Sequence, residues 1–164
     1  MKKIVVPLSV SGISQLQAEL KKYQVWQQEK VKELAERLAM LGASTASIQF
    51  SRAVYTGVKD ANVSVVATPN GYTVKANGES VLFIEFGSGV TYGYGHPEAN
   101  EFGMGPGTYP EGKGHWDSPR GWHLPKEKGG GHTYGNPPAM PMYEARKSIE
   151  QELPRIVKEV FSGD

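Results

Sequence analysis

Between Gly87 and Asn136 the chain runs for about fifty residues without helical or strand periodicity. A loop of that length is uncommon inside a compact domain, and where one occurs it is usually functional or disordered. The constraint on folding is direct. A shared core has to be built from residues 1–86 and 137–162, with 87–136 inserted as a Gly- and aromatic-rich loop. At 164 residues the chain suits a single domain, and the part outside the loop can still bury a modest core. The loop holds most of the glycines, all four histidines, Trp116 and Trp122. Runs such as Tyr92-Gly93-Tyr94-Gly95-His96-Pro97 set it apart from an ordinary flexible linker.

The flanking segments carry readable patterns. Lys3 to Val10 is β-branched and short, and Pro7 suits it to a sheet edge. Ser14 and Gln17 match a capping box, and Ile13, Leu16, Leu20, Tyr23, Val31, Leu34, Leu38 and Leu41 recur at helical spacing. The spacing predicts a helix over about 13–41, roughly 43 Å long at 1.5 Å per residue, which is more than a core of this size spans. Part of it is expected to project or to meet a neighbour, the more so because Gln24, Gln27, Gln28 and Lys30 interrupt the apolar stripe. Gly42 reads as an end or a kink, and Ser44 as the cap of a second helix carrying Ile48, Phe50, Ala53 and Val54.

From Ala61 the period changes to two. Val63, Val65 and Ala67 alternate with polar residues, Pro69-Asn70-Gly71 signals a turn, and Tyr72, Val74 and Ala76 alternate again, which together predict a β-hairpin. Ser80 to Phe86 fits a third strand or a short helix. Beyond the loop, Asn136-Pro137-Pro138-Ala139-Met140-Pro141 forces an extended lead-in with Pro141 in a first helical turn. An amphipathic helix to about Phe161 follows, with a kink expected at Pro154. The fold class expected is α+β, with a long N-terminal helix and a C-terminal helix packed on a small antiparallel sheet.

Few chemistries find support. A net charge of +1 gives no electrostatic case for nucleic acid or an anionic membrane. No segment reaches the 18 apolar residues of a membrane helix, and the start Met1-Lys2-Lys3-Ile4-Val5-Val6 is broken by Pro7, Ser9, Ser11 and Gly12 before it could act as a signal peptide. The absence of cysteine rules out disulfides and thiolate zinc sites. His96, His115, His123 and His132, with Glu98 and Asp117, lack any usual metal-ligand spacing, although a metal-dependent hydrolase built on these histidines is the alternative to be kept. Gly87-Ser88-Gly89 is not a nucleophile elbow, and Gly103-Met104-Gly105-Pro106-Gly107 lacks the Lys and Ser/Thr of a phosphate loop. No catalytic, cofactor or metal residue is therefore assigned.

Trp116, Arg120, Trp122, His123, Lys126 and Lys128 could stack on and neutralise a single nucleic-acid strand, a third reading. Glu111, Asp117 and Glu127 dilute that mixture, and its Trp and Arg content fits a protein interface better. The expected contact residues are Trp26 on the first helix, Glu85 and Phe86 at the loop's mouth, and Tyr92, Tyr94, Tyr109, Trp116, Arg120, Trp122 and Tyr134 within the loop.

Three segments, in this order, carry a resemblance: Gly12-Ile13-Ser14-Gln15-Leu16 opening the first helix, Val81-Leu82-Phe83-Ile84-Glu85-Phe86-Gly87-Ser88-Gly89, and Pro137-Pro138-Ala139-Met140-Pro141-Met142-Tyr143-Glu144-Ala145. With the hairpin between the first two, the chain resembles the tail-completion, or neck, family of long-tailed bacteriophages over nearly all of its length outside the loop. It departs from that pattern in offering only Tyr55-Thr56-Gly57 after the first helical region, Met142-Tyr143 where a Phe-containing pair is commoner, and an unusually long loop. The resemblance implies a non-enzymatic structural protein of the virion neck or tail, assembled in the host cytoplasm and joining the tail to the head-side connector. Its implied partners are other neck and tail proteins and copies of itself in a ring, with six subunits the expected number. Neither a membrane nor a specific nucleic-acid sequence is among them. On this reading the loop orders only on assembly, with Trp116 and Trp122 as anchors.

Overall fold

The computed structural model describes residues 4–92, 95–105 and 117–162. Its elements are α1 (Val10–Arg52), β1 (Asn62–Thr68), β2 (Gly71–Asn77), α2 (Val81–Phe86), α3 (Gly89–Tyr92), a 3-10 turn (Ala99–Phe102), β3 (Trp122–His123), a second 3-10 turn (Lys126–Lys128), β4 (His132–Thr133) and α4 (Pro141–Phe161). The expected α+β class holds: a long first helix packs against the last helix and against a two-stranded antiparallel hairpin.

The first helix departs most from expectation, because one helix replaces the two predicted, and the described residues ahead of it, 4–9, form no strand. Pro7 accepts from the amide of Ser9 at 2.9 Å, and the segment before α1 joins no sheet. Ser9, not Ser14, is the cap, its hydroxyl accepting from the Gly12 amide at 3.1 Å. Ser14 lies inside the helix and donates back to the carbonyl of Val10. Gly42 does not stop the helix either. It is buried against α4, where a Cβ would lie 2.7 Å from Cδ1 of Ile149, so the residue serves close helix packing and α1 runs on through Ser44 to Arg52. Its 43 residues span about 65 Å.

β1 and β2 pair as the alternation predicts, with Val63 opposite Ala76, Val65 opposite Val74 and Ala67 opposite Tyr72 across a Pro69-Asn70 turn. Tyr72, Val74 and Ala76 turn inward while Thr73 and Lys75 face out. The main core consists of Ala46, Phe50, Ala53, Ile84 and Ala145, with Tyr55, Val63, Val81, Ala139 and Met142 packed around it. Small residues on α1 and α4 let the two backbones approach. Thr45 donates to Ser148, and near the far end of α4 Arg37 meets Glu159 at 2.5 Å while Trp26 sets its ring edge-on to Phe161 at 6.0 Å. The pairing is thus antiparallel and ends at Phe161. Helix α4 continues through Pro154, which withholds the amide that the Glu150 carbonyl would otherwise receive.

The segment 80–86 is a helix rather than a strand. Gly87 ends it at φ 77, a left-handed conformation open to glycine, with the Asn136 carbonyl 2.9 Å from where a Cβ would stand. The described parts of the inserted segment pack on one another and on the rest of the chain. Ser88 and Asn136 form an antiparallel bridge, and β3 and β4 pair Trp122 with Thr133 and His123 with His132. A second small cluster, Phe86, Ala99 and Met104, seals the first part of the insertion to the end of α2.

Candidate functional site

The lead-in to α4 is held by a side chain from another element. Met140 adopts a left-handed conformation at φ 53, which is costly for a residue with a Cβ, and it offers no side-chain cap. Pro141 has no amide to satisfy. The next two amides both donate to the buried carboxylate of Glu85, Met142 to Oε2 at 2.8 Å and Tyr143 to Oε1 at 3.0 Å. The Glu144 amide then reaches the Met140 carbonyl and the ordinary ladder begins. A carboxylate at this end of a helix also meets the favourable end of its dipole. Ala139 donates to the carbonyl of Ile84 at 2.8 Å, so α2 grips the lead-in through both backbone and side chain.

His96 completes this centre. Its Nδ1 accepts from the Glu98 amide at 3.1 Å, which leaves the proton of a neutral ring on Nε2, 3.3 Å from Oε1 of Glu85. The ring lies between Phe86 and Tyr143, with centroids at 4.5 and 5.5 Å. Glu98 in turn meets Arg146, whose guanidinium sits 5.2 Å from the Tyr143 ring centroid. The buried carboxylate, the buried imidazole and two helix amides satisfy one another, an arrangement suited to rigidity.

Two further polar clasps hold the insertion and the turn before α2. The Ser88 amide donates to the Asn136 carbonyl at 2.9 Å and the Asn136 amide returns the bond at 3.2 Å, while the Ser88 hydroxyl donates to Asn136 Oδ1 at 2.5 Å. Asn136 Nδ2 reaches the Phe83 carbonyl at 2.8 Å. Asp60 accepts from the amides of Glu79 and Ser80 at 2.8 Å each and from the Ser80 hydroxyl at 2.6 Å. The Ser80 hydroxyl beside it is the main cause holding the Asp60 carboxyl below its ordinary range. Between these clasps lies a cleft of about 440 Å³, with Tyr55, Thr56, Phe83, Trp122, Leu124 and Thr133 among its lining.

Of the expected contact residues, the structure assigns Glu85, Phe86 and Trp122 to the interior, which corrects their reading as surface anchors. Glu85 points at helix amides, Phe86 packs on His96 and Phe102, and the Trp122 ring lies against Gly89 beneath the insertion. His96 is likewise interior rather than solvated. Trp26 is half-buried, stacked on Tyr23 and edge-on to Phe161. Tyr92, Arg120 and Tyr134 are exposed, Tyr134 beside His132. Tyr94, Tyr109, Trp116 and His115 lie outside the described residues.

The most exposed apolar surface is instead at the start of α1. Trp26 meets Phe161 near the end of α4, and on its N-terminal side, over Val10–Val25, Gly12 is buried and Leu16 and Glu19 are half-buried while the other described side chains are exposed. Leu8 and Val10 are nearly fully exposed and Ile13, Leu20 and Tyr23 about half exposed. Among the described residues, no cluster of three or more His, Asp and Glu side chains could hold a metal ion, and no helix is long and apolar enough to cross a membrane. No family model, curated protein or solved structure matches the chain.

Proposed function

We propose that this chain is a non-enzymatic structural protein of a long-tailed bacteriophage virion, completing the tail and joining it to the head-side connector as part of a ring. The observation that carries this reading is the start of α1, where Leu8, Val10, Ile13, Leu20, Tyr23 and Val25 are exposed among the described residues. Singly exposed hydrophobics are ordinary, but a run of them along one stretch of helix suits a surface for another protein.

The resemblance gains support from the way its segments meet. Glu85, from the segment Val81 to Gly89, caps the helix that Pro137 to Ala145 opens, so the two act as one clasp, which suits a subunit whose shape has to persist. Chemistry at Glu85 and His96 is not needed to account for their burial, because each has a structural partner.

The test is made on particles. A phage carrying this gene with an early stop codon, grown with and without the full chain supplied in trans, is examined by electron microscopy. Separate heads and tails without the chain, and joined particles with it, are expected. Joined infectious particles in normal number without the chain would overturn the reading.

A further inference from the structure

We propose that His123 and His132, side by side on the outer face of the ribbon formed by β3 and β4, bind one divalent transition-metal ion of the class that favours imidazole, namely copper, nickel or zinc. The proposal stands apart from the virion reading and adds a ligand which that reading does not require.

The ribbon places the two rings. His123 and His132 lie directly opposite each other in its antiparallel register. The adjoining pair carries the backbone bond, the Leu124 amide donating to the Gly131 carbonyl at 2.8 Å. Hydrogen-bonded and non-hydrogen-bonded pairs alternate along such a ladder, so the two histidines form a non-hydrogen-bonded pair, in which Cα atoms approach to about 4.5 Å and side chains leave on one face. Trp122 and Thr133, the next pair, are buried, whereas His123 and His132 are exposed. The inward pair fixes the ribbon to the rest of the chain. Trp122 lies against Gly89, and the hydroxyls of Thr133 and Thr56 share a hydrogen bond at 3.2 Å.

The spacing of the rings suits a shared ion. Their centroids are 4.9 Å apart and their planes stand at 74°. Two imidazoles bound to one tetrahedral ion, each through a metal–nitrogen distance of about 2.1 Å, have centroids about 5 Å apart. Exposed rings turn readily about χ2, which brings one nitrogen of each toward the point between them. Neither ring is hydrogen-bonded to another described residue, in contrast with His96, whose two nitrogens are both engaged. The separation of the pair in sequence matches no linear metal motif because the ligands meet across strands rather than along one helix.

Imidazole suits copper, nickel and zinc, whereas magnesium and calcium take oxygen ligands. Two protein ligands leave the remaining positions to water, so the site is open and exchangeable, unlike the closed four-ligand centre of a structural zinc. An ion held there ties β3 to β4 at the surface of the insertion.

The untagged full chain, stripped of metal by a chelator, is titrated with Cu2+ and separately with Zn2+ by calorimetry. One ion per chain is expected, with Cu2+ held more tightly than Zn2+. His123→Ala and His132→Ala each leave a single imidazole of the pair and should weaken Cu2+ binding by at least about tenfold, because the second, effectively intramolecular ligand is lost. Both residues are exposed, and the metal-free melting temperature of each variant is expected to stay within about 2 °C of the wild type. Electron paramagnetic resonance of the wild-type Cu2+ complex needs no variant and should show coupling to at least two imidazole nitrogens. No binding at up to about 1 mM Cu2+, binding unchanged in either variant, or coupling to a single nitrogen would each overturn the site.

Discussion

Gly42 of α1 faces Ile149 of α4 so closely that a single added methyl would stand 2.7 Å from the Ile149 Cδ1 atom. The neighbour is the tip of a flexible side chain, so Gly42→Ala sets a small steric cost against a gain of about 1 kcal/mol in helix propensity, and the net change is expected to be near zero. In an Ile149→Val background, which lacks that tip, the same substitution should stabilise by about 1 kcal/mol. Gly42→Leu has no such relief and should destabilise by about 2 kcal/mol or more. A double-mutant cycle by urea denaturation measures the coupling, and additive effects would mean that the two residues do not touch.

Replacing Glu85 by Ala removes the acceptor of the Met142 and Tyr143 amides and the partner of His96. A loss of about 3 kcal/mol is expected, since buried donors are left without acceptors. For a chain of this size that lowers the melting temperature by roughly 6–12 °C. Gln, which keeps one acceptor oxygen, should recover part of it. A melting curve unchanged by Glu85→Ala would dismiss the carboxylate as the cap of α4.

Trp122 is buried and lies against Gly89, so Trp122→Ala should cost about 3 kcal/mol in the isolated chain. A residue reserved for a partner would leave the melting temperature untouched. Calorimetry of the purified protein distinguishes these outcomes without any partner present.

Asp60 sets the sign of an acid dependence. Its carboxyl titrates below the ordinary value of 3.8 in the folded chain, chiefly through the Ser80 hydroxyl. A depressed pKa contributes stability that is fully present above the unfolded value and is lost as pH falls through the folded one. The melting temperature of the wild type should therefore exceed that of Asp60→Asn by a constant margin above about pH 5, and the margin should shrink below about pH 4. A margin that widens on acidification would contradict the hydrogen-bond assignment.

What the sequence discloses divides along physical lines. The hairpin and α4 were legible because alternation and the helical period report on faces that pack against neighbours, and Tyr72, Val74 and Ala76 do turn inward. Gly42 misled because a glycine that ends a helix and one that admits a second helix look alike in one dimension. Glu85 stood out beside the loop, but its role depends on amides 57 and 58 residues away, a separation no local pattern spans. Ser80 ahead of the apolar run Val81–Phe86 offered a signal for a turn into a helix, while its Asp60 partner had none. Trp122 looked like a surface anchor because aromatics in a glycine-rich segment carry no periodicity to show which side faces in.

The Ser88–Asn136 bridge brings the two ends of the insertion to within one hydrogen-bonded pair of each other. The chain thus leaves the frame and returns to it at the same place, which keeps the cost of a longer excursion low. Closing such an excursion costs entropy only as the logarithm of its length, about 0.6 kcal/mol for each doubling. Within 89–135 the segments carrying His96, Ala99, Met104, Trp122 and Thr133 are tied to the frame by their contacts, so changes in length are best borne between Met104 and Trp122. A lineage that needed a new neighbour could rewrite the stretch between Met104 and Trp122 and leave His96 in the clasp with Glu85.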